Sequence, residues 1–231
     1  MKKIGLIGGM SWESSVVYYE LINRKVSEVL GGFHSSKCIM ESVDFAEIEK
    51  LQHEDDWDSL NLLMADAAKT LEAAGADIII LCTNTMHLCS EKIIESISIP
   101  FLHIAEATGN QIKKQKLDKI ALLGTKFTME RDFYKGKLQD DFGIDILIPD
   151  KEDRDLVHNI IYNELVHGQL RLSSKEVYKR IIKDLEIRGA EGVILGCTEI
   201  PLLIKQTDVD IPVFDTTKIH AESAVEFALS D

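Results

Sequence analysis

Three stretches of this chain recur once each, in the same order and at nearly constant distance. KIGLIGG from Lys3 returns as KIALLGT from Lys119, LEAAGADIIIL from Leu71 as LEIRGAEGVIL from Leu185, and IPFLHI from Ile99 as IPVFDT from Ile211. The offsets are 116, 114 and 112, and Tyr18 falls on Tyr134 at the first of them. Three matches in register mean that each copy must build the same supersecondary unit, which removes most topologies from consideration.

Inside each copy, short β-rich runs alternate with helical spacing. Trp57, Leu60, Met64, Ala67, Leu71 and Ala74 fall three or four apart behind an acidic first turn, and Gly75 is placed to end that helix before the buried run DIIILC. In the second copy, Ser173 and Glu176 have capping-box spacing, and Gly189 precedes GVILG. Alternation of this kind predicts an α/β fold of two pseudosymmetric lobes, each a mainly parallel sheet flanked by helices. The expected boundaries are 1–105 for the first lobe, joined by the C-terminal segment 213–231, and 106–212 for the second.

Charge narrows the partners. The 231 residues carry 26 Lys and Arg against 39 Asp and Glu, a net charge of −13, which disfavours nucleic acid and anionic membrane surfaces. The longest aliphatic run, Ile78 to Cys82, is too short to span a bilayer, and the chain turns at Gly8-Gly9 before a signal-peptide core could form, so a cytoplasmic protein is expected. Four irregularly spaced cysteines, Cys38, Cys82, Cys89 and Cys197, suggest neither a disulfide framework nor a zinc site. Cys38, Cys82 and Cys89 read as small core residues. His87 and His103 read as structural histidines, and Gly8-Gly9 lacks the full dinucleotide-binding pattern.

In open parallel sheets the loops beyond the strands' carboxyl ends bind ligands. Those loops are GGMS at Gly8–Ser11, CTNT at Cys82–Thr85, GTKFT at Gly124–Thr128 and GCTE at Gly196–Glu199. They offer hydroxyls, an amide and accessible backbone donors, a composition suited to carboxylates. The offset of 114 sets Thr83 against Cys197, Asn84 against Thr198 and Thr85 against Glu199. A hydroxyl and a thiol approaching one carbon from opposite sides is the arrangement racemisation needs. A thiol has an ordinary pKa of about 8.5, and a helix N-terminus lowers it, so a thiolate at neutral pH is the expectation for Cys197.

These loops, in a chain that starts GLIGGMS, resemble those of the aspartate/glutamate racemase family over essentially the whole length. The resemblance implies a cofactor-independent two-base isomerase with its active site in the cleft between the two lobes, acting on a small acidic amino acid and commonly homodimeric; the scattered Cys and His residues already argue for no metal. It implies Cys197 as thiolate acceptor and Thr83 as opposite-face donor, in a Thr/Cys version of a site that more often has cysteine directly before Asn-Thr. Because side chains alternate along a strand, Cys82 is expected to face the core if Thr83 faces the ligand. By motif position Asn84, Thr85 and Thr198 hold the α-carboxylate and ammonium, Met10 and Thr128 line the site, and Glu199 anchors the ammonium or orients Cys197. Aspartate racemases are similar in using an Arg and a Lys for the distal carboxylate. Here Val166 stands where that Lys is expected, and Gln52 is the substitute donor. A decarboxylase or cis–trans isomerase of small dicarboxylic acids, and a non-catalytic amino-acid-binding regulator, are the alternatives.

Overall fold

The computed structural model describes residues 1–230, which form two compact units: 1–104 with 220–230, and 105–219. The first contains β1 (Ile4–Gly8), α1 (Trp12–Leu30), β2 (Cys38–Ser42), α2 (Phe45–His53), α3 (Trp57–Ala73), β3 (Ile78–Leu81) and α4 (Ser90–Ser96). Its parallel sheet has the order β2-β1-β3. The second unit takes all but the first residue of α5 (Ile104–Lys114), followed by β4 (Lys119–Gly124), α6 (Lys126–Glu130), α7 (Asp132–Phe142), β5 (Asp145–Leu147) and α8 (Lys151–Asn163). It continues with α9 (Leu172–Ile187), β6 (Gly192–Gly196), α10 (Ile200–Leu203), β7 (Val213–Asp215) and the start of α11 (Thr216–Leu229). Its sheet is also parallel, in the order β5-β4-β6-β7.

The repeat extends to hydrogen-bond register. Ile4 pairs with Ile78 in the first sheet and Ile120 with Gly192 in the second, positions related by the offsets read from the sequence. The Asp77 N–H donates to the Lys3 carbonyl as the Glu191 N–H donates to that of Lys119, both at 2.8 Å. In return each acidic side chain accepts from the lysine's backbone N–H. The bridge of Ile79 to Phe101 is matched by Val193 to Val213, so β7 is the full-length counterpart of a one-residue pairing.

This pairing corrects one boundary. Residues 213–215, expected with the first lobe, are an edge strand of the second sheet; the chain joins the first unit only from His220. From there Ala221, Ala224, Val225 and Ala228 form one helical face that packs with Tyr18, Ile22 and Val26. The trailing helix of each copy thus completes the other copy's unit. The repeated tyrosines mark the exchange. Tyr18 Oη is 2.9 Å from His220 Nδ1 on α11, and Tyr134 Oη donates to Thr108 Oγ1 on α5 at 3.2 Å. His220 and Thr108 are themselves related by the offset of 112.

Helix ends follow local chemistry. Asp56 caps α3 by accepting from the Ser59 N–H, and Gly75 beyond its end and Gly189 beyond that of α9 have φ of 83° and 97°, which glycine adopts without strain. The capping box expected at Ser173 does not form. Helix α9 starts at Leu172, and Ser174 donates instead to the Glu164 carboxylate. Among the described residues, no helix is long and apolar enough to cross a membrane.

Candidate functional site

In the first unit, strand alternation divides β3 cleanly. Ile79 and Leu81 pack into one core with Ile7 and Met64, whereas Ile78, Ile80 and Cys82 pack into the other with Ile4, Leu6 and Tyr18. Cys82 is therefore a core residue, and burial drives its thiol pKa far up. Thr83, the next residue, is half-buried, while Asn84 and Thr85 are buried. The Thr83 carbonyl accepts from His87 Nδ1 at 2.8 Å.

The loop after β1 is shaped by glycine. Gly9 has φ of 95°, and a Cβ there would lie 2.2 Å from the Val43 carbonyl oxygen. Its N–H donates to Ser15 Oγ at 2.8 Å, a contact the sequence reading did not anticipate. Met10 is buried in the same core as Met86, and Gln52, also buried, points its Nε2 at Met86 Sδ from 3.0 Å. A thioether is a weak acceptor, so this amide loses little by exchanging it for a better one.

The second unit carries the thiol. Cys197 follows β6, is 8% exposed, and its Sγ donates to Glu199 Oε2 at 2.9 Å. Thr198 Oγ1 donates to the same oxygen at 2.7 Å. The expectation of a pKa lowered to give a neutral-pH thiolate is corrected here. Burial foremost, then the Glu199 carboxylate, holds the Cys197 thiol well above its ordinary value, and backbone donors oppose this only weakly. The following helix, α10, has four residues, too few to supply the dipole the expectation assumed. Tyr178, buried on α9, donates its hydroxyl to the Val157 carbonyl, and burial foremost, then Cys197, Glu164 and Glu199, raises its pKa well above the ordinary value.

Thr128 is fully buried. Its side chain lies 3.1–3.2 Å from where Cβ atoms would sit on Gly124 and Gly196, and its N–H is capped by Thr125 Oγ1, which gives it a packing role between the two loops. Val166 lies on a short turn, Leu165–His167, and brings no charge. All four cysteines are free thiols. The two half-sites thus differ in kind. One is a hydroxyl whose peptide is tied by histidine; the other is a thiol tied by carboxylate.

Comparison with known proteins bears on the family. The family model described as Asp/Glu/Hydantoin racemase matches residues 7–224. The broad specificity amino-acid racemase RacX of Bacillus subtilis (strain 168) is 28% identical over 180 residues, which cover 76% of this chain and 75% of that one. A Yersinia pestis crystal structure that carries a provisional Asp/Glu racemase name is 51% identical with full coverage of both chains and a TM-score of 0.96. The crystal structure of an aspartate racemase homologue from Pyrococcus horikoshii OT3 is 38% identical, also over both full chains, with a TM-score of 0.86. The paired loops, the doubled parallel sheets and these matches converge: the chain is an isomerase belonging to the Asp/Glu/hydantoin racemase family.

Proposed function

We propose that this enzyme interconverts L- and D-aspartate or glutamate by two-base proton transfer at Cα, with Cys197 acting on one face and Thr83 on the other. The observation that carries the reading is the Cys197–Glu199 pair at the end of β6, in the register that Thr83 shares at the end of β3. A thiol with a raised pKa is a stronger base once ionised, as removal of a weakly acidic Cα proton demands. Glu199 takes the thiol proton, and the substrate ammonium, by adding positive charge beside the pair, favours the thiolate. The thiolate then removes the α-proton, the Thr83 hydroxyl delivers one to the opposite face and regains its own from solvent, and Glu199 releases to solvent the proton it took from the thiol. The reverse reaction runs the same steps backwards.

Asn84, Thr85 and Thr198 hold the α-carboxylate and ammonium, and shared engagement of one substrate by both half-sites is part of this proposal. Met10 and Thr128 bound the site, Thr128 by fixing the Gly124 and Gly196 backbones. Gln52 leaves Met86 to meet the distal carboxylate, a neutral donor in place of a cation. The free thiols fit a cytoplasmic enzyme, and the homodimer implied by the family resemblance belongs to the same reading.

The test is incubation of purified protein with L-Asp and L-Glu in D₂O, following Cα deuteration by NMR and chirality by chromatography. Deuterated D-isomer is the expected product, with equal kcat/KM in the two directions because the enantiomers have equal free energies. Tight binding with no exchange would overturn the reading.

A further inference from the structure

We propose that His87 is a positioning residue for Thr83, holding the Thr83 peptide through one ring nitrogen while the other anchors the start of α5. The inference rests on the function proposed above. His87 is fully buried, on a short 3-10 turn (Thr85–Cys89) four residues beyond Thr83. A carbonyl can only accept, so the 2.8 Å contact with the Thr83 oxygen places a proton on Nδ1. The Ile104 N–H donates to Nε2 at 3.2 Å, so that nitrogen must be bare. Both contacts are satisfied by one form of the ring, the neutral Nδ1–H tautomer. Protonation would set two N–H groups against each other at Ile104. Burial, with His103 and His220 nearby, lowers the pKa of His87 well below the ordinary value and keeps that form.

Why one half-site needs this device follows from the other. Cys197 is anchored by its own side chain through Glu199. At the offset of 114, Pro201 occupies the position of His87 and has no donor to give. Thr83 has no acidic neighbour of that kind at Thr85, the counterpart of Glu199, so its hydroxyl depends on where the backbone holds it. Small displacements of a proton-transfer group are expensive.

Two isosteric variants separate the ring nitrogens. His87→Asn places an amide N–H donor near Nδ1, and His87→Gln places an amide oxygen, an acceptor, near Nε2. Each loses one hydrogen bond, so a purely structural residue would show both variants with similar melting temperatures and similar activity. Positioning predicts that H87Q loses kcat by about tenfold with KM unchanged, while H87N stays near wild type. In D₂O, H87Q should raise the ratio of α-exchange with retention to exchange with inversion for one enantiomer only, the one deprotonated by Cys197. Equal losses in both variants, or an unchanged ratio in H87Q, overturn the inference while leaving racemisation intact. An inactive wild type would instead overturn the proposed function. Should both variants fold poorly, ¹⁵N imidazole shifts of the wild-type enzyme decide, since an Nε2–H tautomer at His87 is incompatible with it.

Discussion

The two units keep the same register and differ in what they do with it. After β3 and β6 the backbone arrives at equivalent points, yet one delivers a half-buried hydroxyl and the other a buried thiol bonded to a carboxylate. Strand pairing is set by backbone hydrogen bonds and alternating apolar faces, which tolerate any residue beyond the last pair. Acid–base chemistry is set by one or two side chains there, so it can diverge while the fold stands still. In the proposed mechanism the two halves therefore take unequal shares in proton transfer, and that inequality is measurable.

The largest expected difference concerns the groups proposed to react. Cys197→Ser replaces a thiol by a hydroxyl far too weakly acidic to be ionised by Glu199, and racemisation should fall by about 10³-fold. Thr83→Val should cost about 10²-fold, because solvent must then deliver and remove the proton on that face in place of the hydroxyl. Thr83→Cys should raise the rate. Steady-state kinetics in both directions measure all three; equal losses for C197S and T83V would erase the proposed asymmetry.

The tyrosine contacts give the next comparison. Tyr18 meets His220 where Tyr134 meets Thr108, so only the first unit has a titratable partner there. Burial lowers the His220 pKa to about 4, and its ring meets the titratable Tyr18 and His87, with His103 packed against His87. Between an unfolded pKa of about 6.5 and that value the unfolded chain binds a proton the folded one does not. Stability is therefore full above pH 6.5 and falls as pH drops towards 4, by on the order of 3 kcal/mol from this group at about 1.4 kcal/mol per unit. Urea unfolding between pH 4 and 7 should show this decline, and His220→Gln should flatten it; an unchanged slope in H220Q would refute the assignment.

The loops after β1 and β4 differ as well. Gly9 and Thr125 share the offset of 116, but Gly9 has positive φ against Val43 whereas Thr125 is an extended N-cap. Gly9→Ala should destabilise by about 3 kcal/mol through strain and collision with a carbonyl, and Thr125→Ala by about 1 kcal/mol through loss of the cap. Denaturant midpoints that reverse this order would mean the first loop can rearrange.

Much of this was legible from residues alone, and the failures have causes. Offsets of 116 and 114 determine which strands pair, because parallel register follows the apolar pattern, and the alternation that buries Cys82 is a property of any strand. The place of 213–215 was missed because its counterpart at Ile99–Ile104 gives only one bridge, so the first copy understates the strand in the second. The Cys197 pKa was misjudged in sign because a helix dipole was assumed from a Thr-Glu loop whose helix lasts one turn. The tie between His87 and Thr83 is a contact at four residues' separation, visible as spacing but indistinguishable there from any buried histidine.

Cys82 supplies the smallest effect and the sharpest control. It sits directly before Thr83, where a reader guided by the commoner cysteine pattern would place the base, yet it packs among Ile4, Leu6, Ile78 and Ile80 on the opposite face. Cys82→Ala removes one sulfur from a dense core, which should cost about 1 kcal/mol and leave kcat within about twofold. The pair C82A and T83V thus tests one peptide unit against its neighbour. If racemisation survives T83V and disappears in C82A at temperatures where both are folded, β3 must slip by one residue during the reaction. Such a slip would expose Ile78 and Ile80 and break the register with Ile4, at a cost exceeding any gain from a second thiol.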